Sequence, residues 1–188
     1  QFEGGVKYQP PGTAHLVTFA VYDITEANRQ TDDPTNPFNT LQTGEVGIQG
    51  VELEAQTTWR DFDVLAAYSY TDTEVTKSNA GDEGFNLFNI PDHLASVWVT
   101  WQPRQRWPGF HAGAGVRHVG ESWDGADTLR TPSYTLVDAS VGYDLRGWQF
   151  SVDADNLADD VHVTSCLARG DCFYGARRTV TANVRYRF

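Results

Sequence analysis

The 188-residue sequence is 40% hydrophobic with a mean hydropathy of -0.45, and no run approaches the roughly 18 apolar residues that a membrane-crossing helix needs. A helical membrane protein is therefore excluded, whereas a barrel, whose strands alternate apolar with polar residues, is not. The net charge of -11, with no clustered Lys/Arg patch, repels phosphate backbones and excludes nucleic acid as a partner. The chain has no Met and opens at Gln1 in a strand-like segment, so it is expected to be a mature or truncated product with any targeting signal outside it.

Period-two alternation predicts about nine strands, at residues 2–8, 14–28, 44–59, 62–75, 93–102, 110–120, 134–145, 148–156 and 178–188. Most are near the ~10 residues of a tilted transmembrane strand. From Leu16 to Ile24 both parities are apolar and the faces stay unassigned. Val51, Leu53, Ala55 and Trp59 alternate with Glu52, Glu54, Gln56 and Thr58. Ala95, Val97, Val99 and Trp101 share one side, which leaves Trp98 with Ser96 and Thr100 on the other, projecting into a lumen. Val137, Ala139, Val141 and Tyr143 oppose Asp138, Ser140, Gly142 and Asp144, and Trp148, Phe150, Val152 and Ala154 oppose Gln149, Ser151, Asp153 and Asp155. In the last strand Val180, Ala182, Val184, Tyr186 and Phe188 interleave with Thr179, Thr181, Asn183, Arg185 and Arg187. Val184 and Tyr186 are expected to face lipid, and Asn183 and Arg185 the lumen.

The connections alternate in length. Short ones fall at residues 9–13, 60–61, 103–109 and 146–147, and long ones at 29–43, 76–92, 121–133 and 157–177, as periplasmic turns and extracellular loops do. Trp59, Phe62, Trp101, Trp107, Phe110, Tyr143, Trp148 and Phe188 lie beside the short connections and predict a periplasmic aromatic girdle. A soluble β-sandwich also alternates, but it does not predict tryptophans beside every second turn. Acids gather in the long connections (Asp32 and Asp33, Asp82 and Glu83, Asp124 and Asp127, Asp159 and Asp160), as solvated loops or as attraction for a cationic ligand.

Cys166 and Cys172 are the only cysteines. In a protein exported through the periplasm this pair is expected to close a short loop as a disulfide, stabilising by roughly 2 kcal/mol. Two cysteines are too few for the usual structural zinc site.

The segments Asn156-Leu157, Asp159, Cys166 through Cys172, Tyr174-Gly175, Arg177-Arg178-Thr179-Val180 and Arg185-Tyr186-Arg187-Phe188 resemble the C-terminus of TonB-dependent siderophore receptors, and of these the ferric-hydroxamate group most. Glu3-Gly4-Gly5-Val6-Lys7, Ala20-Val21-Tyr22-Asp23-Ile24, Gly50-Val51-Glu52-Leu53-Glu54, Ala67-Tyr68-Ser69-Tyr70-Thr71-Asp72, Asn89-Ile90-Pro91 and Tyr134-Thr135-Leu136-Val137-Asp138-Ala139 extend the likeness over nearly the whole chain. The resemblance implies an all-β transmembrane antiparallel β-barrel in the Gram-negative outer membrane. Residues 1–188 would be the C-terminal ~9 strands of a 22-stranded plugged barrel, with the plug domain absent from this chain. An independent eight-stranded barrel is the alternative if residues 1–8 are a tail. The implied partners are a ferric siderophore, the TonB complex through the plug, outer-membrane lipid and lipopolysaccharide, and the barrel-assembly machinery through the strand ending in Phe188. Uptake of a non-siderophore ligand and a small structural or adhesin-like barrel are the other readings.

A ferric siderophore brings its iron already wrapped in oxygen donors, so the receptor needs no cofactor and no metal ligands of its own, only a rigid aromatic pocket with a few polar donors. Phe85, Phe88, Trp123, Tyr134, Phe173 and Tyr174 are the candidates in the extracellular half, each also explicable as loop packing or outer girdle. In the hydroxamate group the residue after the first loop cysteine is often aromatic; here it is Leu167, which points to a different ligand. His15, His93, His111, His118 and His162 are scattered, and no Ser/His/Asp set can be nominated. No catalytic residue is expected, a barrel hydrolase being the competing class. Arg169-Gly170-Asp171, integrin-like in sequence, reads as a tight turn.

Overall fold

The computed structural model describes the backbone of residues 1–188 and every side chain except that of Pro37. Thirteen strands form in chain order, with no helix: β1 (Phe2–Tyr8), β2 (Leu16–Asp33), β3 (Asn36–Trp59), β4 (Phe62–Lys77), β5 (His93–Trp101), β6 (Phe110–Val119), β7 (Ser122–Trp123), β8 (Arg130–Thr131), β9 (Tyr134–Leu145), β10 (Trp148–Asp155), β11 (Val163–Cys166), β12 (Cys172–Tyr174) and β13 (Thr179–Tyr186). Nine of them make one antiparallel sheet in the order β1-β2-β3-β4-β5-β6-β9-β10-β13, which are the nine strands that the alternation predicts. The short strands β7 with β8 and β11 with β12 make two small hairpins inside the long connections. β1 pairs with β2 from Phe2↔Asp23 to Tyr8↔Val17 and is a strand of the wall, not a tail.

Register resolves which side chains share a face. Val17, Phe19 and Val21 lie in rows with Val51, Leu53 and Ala55, which settles the ambiguous second strand. The rows continue through Ala66 and Val97 to Val116, Val137 and Val152, ending at Ala182, so one face is a continuous apolar belt. The opposite face carries Glu52 and Glu54, Ser69, Ser96, Ser140, Ser151 and Asn183. Asn183 Nδ2 donates there to Asp153 at 3.3 Å, so the polar parity of β13 shares this polar face. Trp98 also points inward, and its ring lies flat over the site that a Cβ at Gly113 or Gly115 would occupy. Its indole N–H donates to Thr100 Oγ1 at 3.0 Å.

The short turns are set by local backbone chemistry. Arg146 and Gly147 both adopt positive φ (46° and 89°), the conformation of a type I′ turn, whose twist matches that of the flanking strands β9 and β10. Beside the turns, Trp101, Trp107 and Phe110 meet edge to face with centroids 5.6 to 5.9 Å apart, and Trp148 packs on Tyr186 at 4.6 Å. Such pairs each contribute about 0.5–1.5 kcal/mol beyond their buried area. They form the girdle at one rim of the belt, with Phe188 fully exposed beyond it.

One long connection is not a loop. Residues 29–43 continue β2 and β3 as a hairpin beyond the belt, with register shifts around Arg29 and positive φ (64°) at Asn28. The alternation fades there because neither face packs against lipid, while Thr31, Thr35, Thr40 and Thr43 keep the β-propensity high. Asp33 Oδ1 accepts from the Thr35 backbone N–H at 2.8 Å and tightens the turn. The buried apolar side chains among the described residues, Val46, Val75, Leu136 and Cys166, sit toward this end, where loops fold over the wall.

Candidate functional site

Three loops rise from the ends of the wall opposite the aromatic girdle, and each is tied down by side chains that bond to backbone. The connection between β4 and β5 folds back on its own strand, since Val75 N–H donates to Phe85 O and Gly84 N–H to Val75 O, both at 2.9 Å. It then reaches the β7–β8 hairpin. Asn89 N–H donates to Trp123 O at 2.9 Å, Phe88 and Trp123 form a parallel bridge, and Asn86 Nδ2 donates to Asp127 at 3.0 Å.

Asp124 organises the tip of that hairpin. Its carboxylate accepts from the backbone N–H groups of Ala126, Thr128 and Leu129 at 2.9 to 3.1 Å and from the Thr128 hydroxyl. Burial alone would push this carboxyl up, yet the bonds from Thr128, Ala126 and Leu129 hold it below its ordinary range. At the base, Trp123 pairs with Arg130, whose guanidinium carbon lies 4.8 Å from the indole centroid while Arg130 Nη1 also meets Glu121 at 2.7 Å. Asp92, at the foot of the preceding loop, is pushed up chiefly by burial, with the charges of Asp72 and Glu121 adding to it.

The last loop is built around Asn156 and the disulfide. Asn156 is 2% exposed with φ of 51°; its amide donates to Asp160 O and Ala176 O at 2.9 and 3.1 Å, its side-chain oxygen accepts from Asp160 N–H, and its own N–H donates to Asp138. Asp138 also takes Arg117 Nε at 2.7 Å, so loop base and inner wall share one carboxylate. Asp159 accepts from Arg177 Nε and Nη2 at 2.9 and 2.6 Å and from Arg178 N–H at 2.9 Å, which lowers its carboxyl to about 2. Cys166 and Cys172 are bonded, as their spacing led us to expect, and face each other across β11–β12 with Cα atoms 4.1 Å apart. The approach is close because Leu167 N–H donates to Asp171 O and so leaves the cysteines as the non-hydrogen-bonded pair of the hairpin. Cys166 N–H donates to the buried Thr131 Oγ1 at 2.9 Å, which fastens the disulfide hairpin to β8.

Of the sequence candidates, Phe88 and Trp123 are brought into direct register, with Phe85 half-buried on the same loop. Tyr134 begins β9 on the inner parity with Leu136 and Asp138, and its ring lies 4.4 Å from that of His162. Phe173 and Tyr174 sit on β12, 49% and 73% exposed. The six therefore fall into three groups: Asn86–Asp127 ties Phe85 and Phe88 to Trp123, Thr131–Cys166 links that hairpin to the one carrying Phe173 and Tyr174, and Tyr134 stands apart against His162. His162, Arg130 and Thr131 were not singled out from sequence, and nothing in their local pattern marks them. Asp124 and Asp127 were visible only as loop acids; their spacing from Thr128 and Leu129 is the signal of a self-bonded turn.

Residues 1–157 match the family described as TonB dependent receptor-like, beta-barrel. Over its whole length the chain is 38% identical to the ferrioxamine receptor of Yersinia enterocolitica, covering 27% of it. It is 36% identical to the ferrichrome outer membrane transporter/phage receptor of Escherichia coli K12, again over its whole length, covering 26% of that protein. Among solved structures, the siderophore receptor PiuA of Acinetobacter baumannii superimposes with a TM-score of 0.81 at 24% identity, over 98% of this chain and 28% of that one. The ferric yersiniabactin uptake receptor FyuA of Yersinia pestis gives 0.81 at 22% identity, over 99% and 29%. The chain spans about a quarter of the length of these relatives.

Proposed function

Because the chain belongs to the TonB-dependent receptor β-barrel family and forms outer-membrane barrel wall, we propose that it serves a receptor importing ferric siderophores, of hydroxamate type. The observation that carries this reading is the mouth of the wall, where aromatic side chains stand on loops fixed by Asp124, Asn156 and the disulfide. A large chelate with its metal already coordinated is recognised by such rigid aromatic surface and a few donors rather than by metal ligands. Phe85, Phe88 and Trp123 would contact one side of the ligand, Tyr134 the inner side, and Phe173 and Tyr174 the side under the last loop. Leu167 in place of an aromatic shifts the fit among hydroxamates.

In this proposal residues 1–188 are the C-terminal portion of the barrel domain, and the plug and the segment that engages the TonB complex belong to other parts of the receptor. Energy for passage comes through the plug, and the wall supplies a passage and a binding funnel, with no catalytic step. Lipid and lipopolysaccharide cover the apolar belt, and the strand ending at Phe188 is presented to the assembly machinery.

The test uses the full-length receptor. Titration with ferrioxamine B and with ferrichrome should quench intrinsic tryptophan fluorescence saturably. Cells carrying it as sole siderophore receptor should take up radioactive iron from one of these chelates, and collapse of the inner-membrane proton gradient should stop uptake. A correctly assembled receptor that binds no ferric hydroxamate sinks the proposal.

A further inference from the structure

The last loop leaves and rejoins the wall through a neck that is tied to the polar face by the side chain of Asp138. Asn156 closes the neck, since its side chain meets Asp160 on the outgoing limb and the Ala176 carbonyl on the returning one. Asn156 is itself held through its backbone N–H, which donates to Asp138 Oδ1 at 2.8 Å. The next residue, Leu157, donates its N–H to Val137 O at 2.7 Å, so the outgoing limb is attached at residues 137 and 138 of β9. Asp138 in turn takes the Arg117 guanidinium side-on, Nε to Oδ2 at 2.7 Å and Nη2 to Oδ1 at 3.4 Å. One carboxylate oxygen thus serves both the neck and β6. The Asp138 side chain is 15% exposed and that of Arg117 is 44% exposed, so the acid depends on its partners more than the base does.

A second carboxylate makes this arrangement conditional on the arginine. One step on from the pair Ala139↔Ala154, the register sets Asp155 opposite Asp138, and Asp155 immediately precedes Asn156. Asp155 is also close enough to Arg117 for its charge to be felt there. Like charges directly opposite on neighbouring strands repel, and here they sit on β9 and at the very end of β10 where the neck begins. Arg117 offsets both. Without it Asp138 is driven away from Asp155 and surrenders the Asn156 N–H. We propose that Arg117 and Asp138 are positioning residues for the ligand: the guanidinium, by offsetting Asp138 and Asp155, locks the neck of the last loop and so holds Phe173 and Tyr174 at the mouth. This rests on the reading in which those two aromatics contact the ferric hydroxamate. The exposed staple between Asp159 and Arg177 differs in kind, because it joins the two limbs to each other and not to the wall.

Hydrogen exchange of residues 155–160 and 175–178 in the assembled full-length receptor, without ligand, tests the lock, and tryptophan quenching by ferrioxamine B reads its consequence. Arg117→Gln should speed exchange there about tenfold or more, the worth of a hydrogen bond to a charged group, and should weaken ferrioxamine B binding. Arg117→Lys, which keeps the charge, should stay close to the wild type. Adding Asp155→Asn to Arg117→Gln should restore protection and affinity together, because the repulsion disappears with the second carboxylate. An arginine that merely packs against the wall is not rescued by removing an acid. If Arg117→Gln fails to reach the outer membrane, a double variant that reaches it supports the lock, and one that fails as well overturns it. Unchanged exchange in Arg117→Gln, no rescue by Asp155→Asn, or a loosened neck with unaltered affinity overturns the proposal. A wild-type receptor that binds no ferric hydroxamate sinks the proposed function instead, while the exchange results, read without ligand, still decide whether charge locks the neck.

Discussion

Replacing Ala182 by arginine puts a guanidinium into the lipid-facing row that runs through Val152 and Val141. The height of that position follows from the girdle. Tyr186 pairs with Trp148 at the aromatic rim, and Ala182 lies four residues further along β13. At ~3.4 Å per residue and a tilt of about 40°, four residues climb roughly 10 Å, close to the midplane of a belt about 25 Å tall. Val184, two residues from Tyr186, climbs only about 5 Å. Arginine at the midplane of a barrel costs about 2–4 kcal/mol and falls to about 0–1 near an interface, so Ala182→Arg should cost the full amount and Val184→Arg roughly half. Asn183→Arg, which points inward within reach of Asp153, should stay within about 0.5 kcal/mol. The assay is the denaturant midpoint of heat-modifiable, full-length receptor in lipid, read together with its yield in the outer membrane. The expected order of damage is Ala182, Val184, Asn183. If Asn183→Arg proves the most harmful, or if Ala182→Arg is silent, the facing of β13 is wrong.

Removing Phe188, which projects beyond the girdle next to Tyr186 with ring centroids 5.5 Å apart, should lower the amount of receptor assembled in the outer membrane; wild-type levels and heat-modifiability would count against a role in assembly. Cys166→Ser should leave the wall's denaturant midpoint nearly unchanged but weaken ferric hydroxamate binding, because the disulfide holds β12 with Phe173 and Tyr174; unchanged affinity would separate the hairpin from the ligand site. Asp159, whose carboxyl is lowered from 3.8 to about 2 by Arg177 and the Arg178 N–H, favours the closed loop base above its unfolded value and loses that effect as pH falls toward 2. Proteolysis of the last loop should therefore accelerate below pH about 4 in the wild type and show no such acid step in Asp159→Asn; identical profiles would dismiss the pair. Gly113→Val should displace the Trp98 ring from the wall and change its fluorescence, whereas an unchanged spectrum would mean that the ring does not rest on that glycine.

The wall was legible because its physics is repetitive. A strand between lipid and lumen alternates at every step, and one wrong residue such as Trp98 is outvoted by Ser96 and Thr100 on its parity. Trp98 is tolerated inward only because Gly113 and Gly115 on the neighbouring strand leave room, a relation between strands that no local pattern displays. Residues 29–43 are paired strand without alternation for the converse reason: above the belt both faces are polar, and periodicity carries no information where the two solvents are alike. The candidate aromatics were legible as residue types in loops, but their grouping depends on bonds between distant segments, Asn86 with Asp127 and Cys166 with Thr131, separated by 41 and 35 residues.

Wall and mouth are held by different chemistry, and that difference sets what a ligand can move. The nine-stranded sheet is fixed by continuous ladders, such as the fourteen paired positions from Val46↔Val75 to Trp59↔Phe62, so no single contact governs it. The loops depend on a few side-chain bonds, each with an identifiable partner. Drawing the disulfide hairpin inward breaks the Cys166 N–H bond to Thr131 and little else in the wall. Moving the connection after β4 breaks the contacts of Asn86 with Asp127 and of Asn89 with Trp123. Net hydrogen bonds of this kind are worth about 0.5–1.5 kcal/mol each, and those to charged groups about 1.5–3, so closing one loop lies within the binding energy of a micromolar ligand while deforming the wall does not. On the proposed function, ligand-driven change would fall on the connection after β4 and on the hairpins β7–β8 and β11–β12 rather than on the wall, and Asp127 and Thr131 are the residues whose bonds would report it.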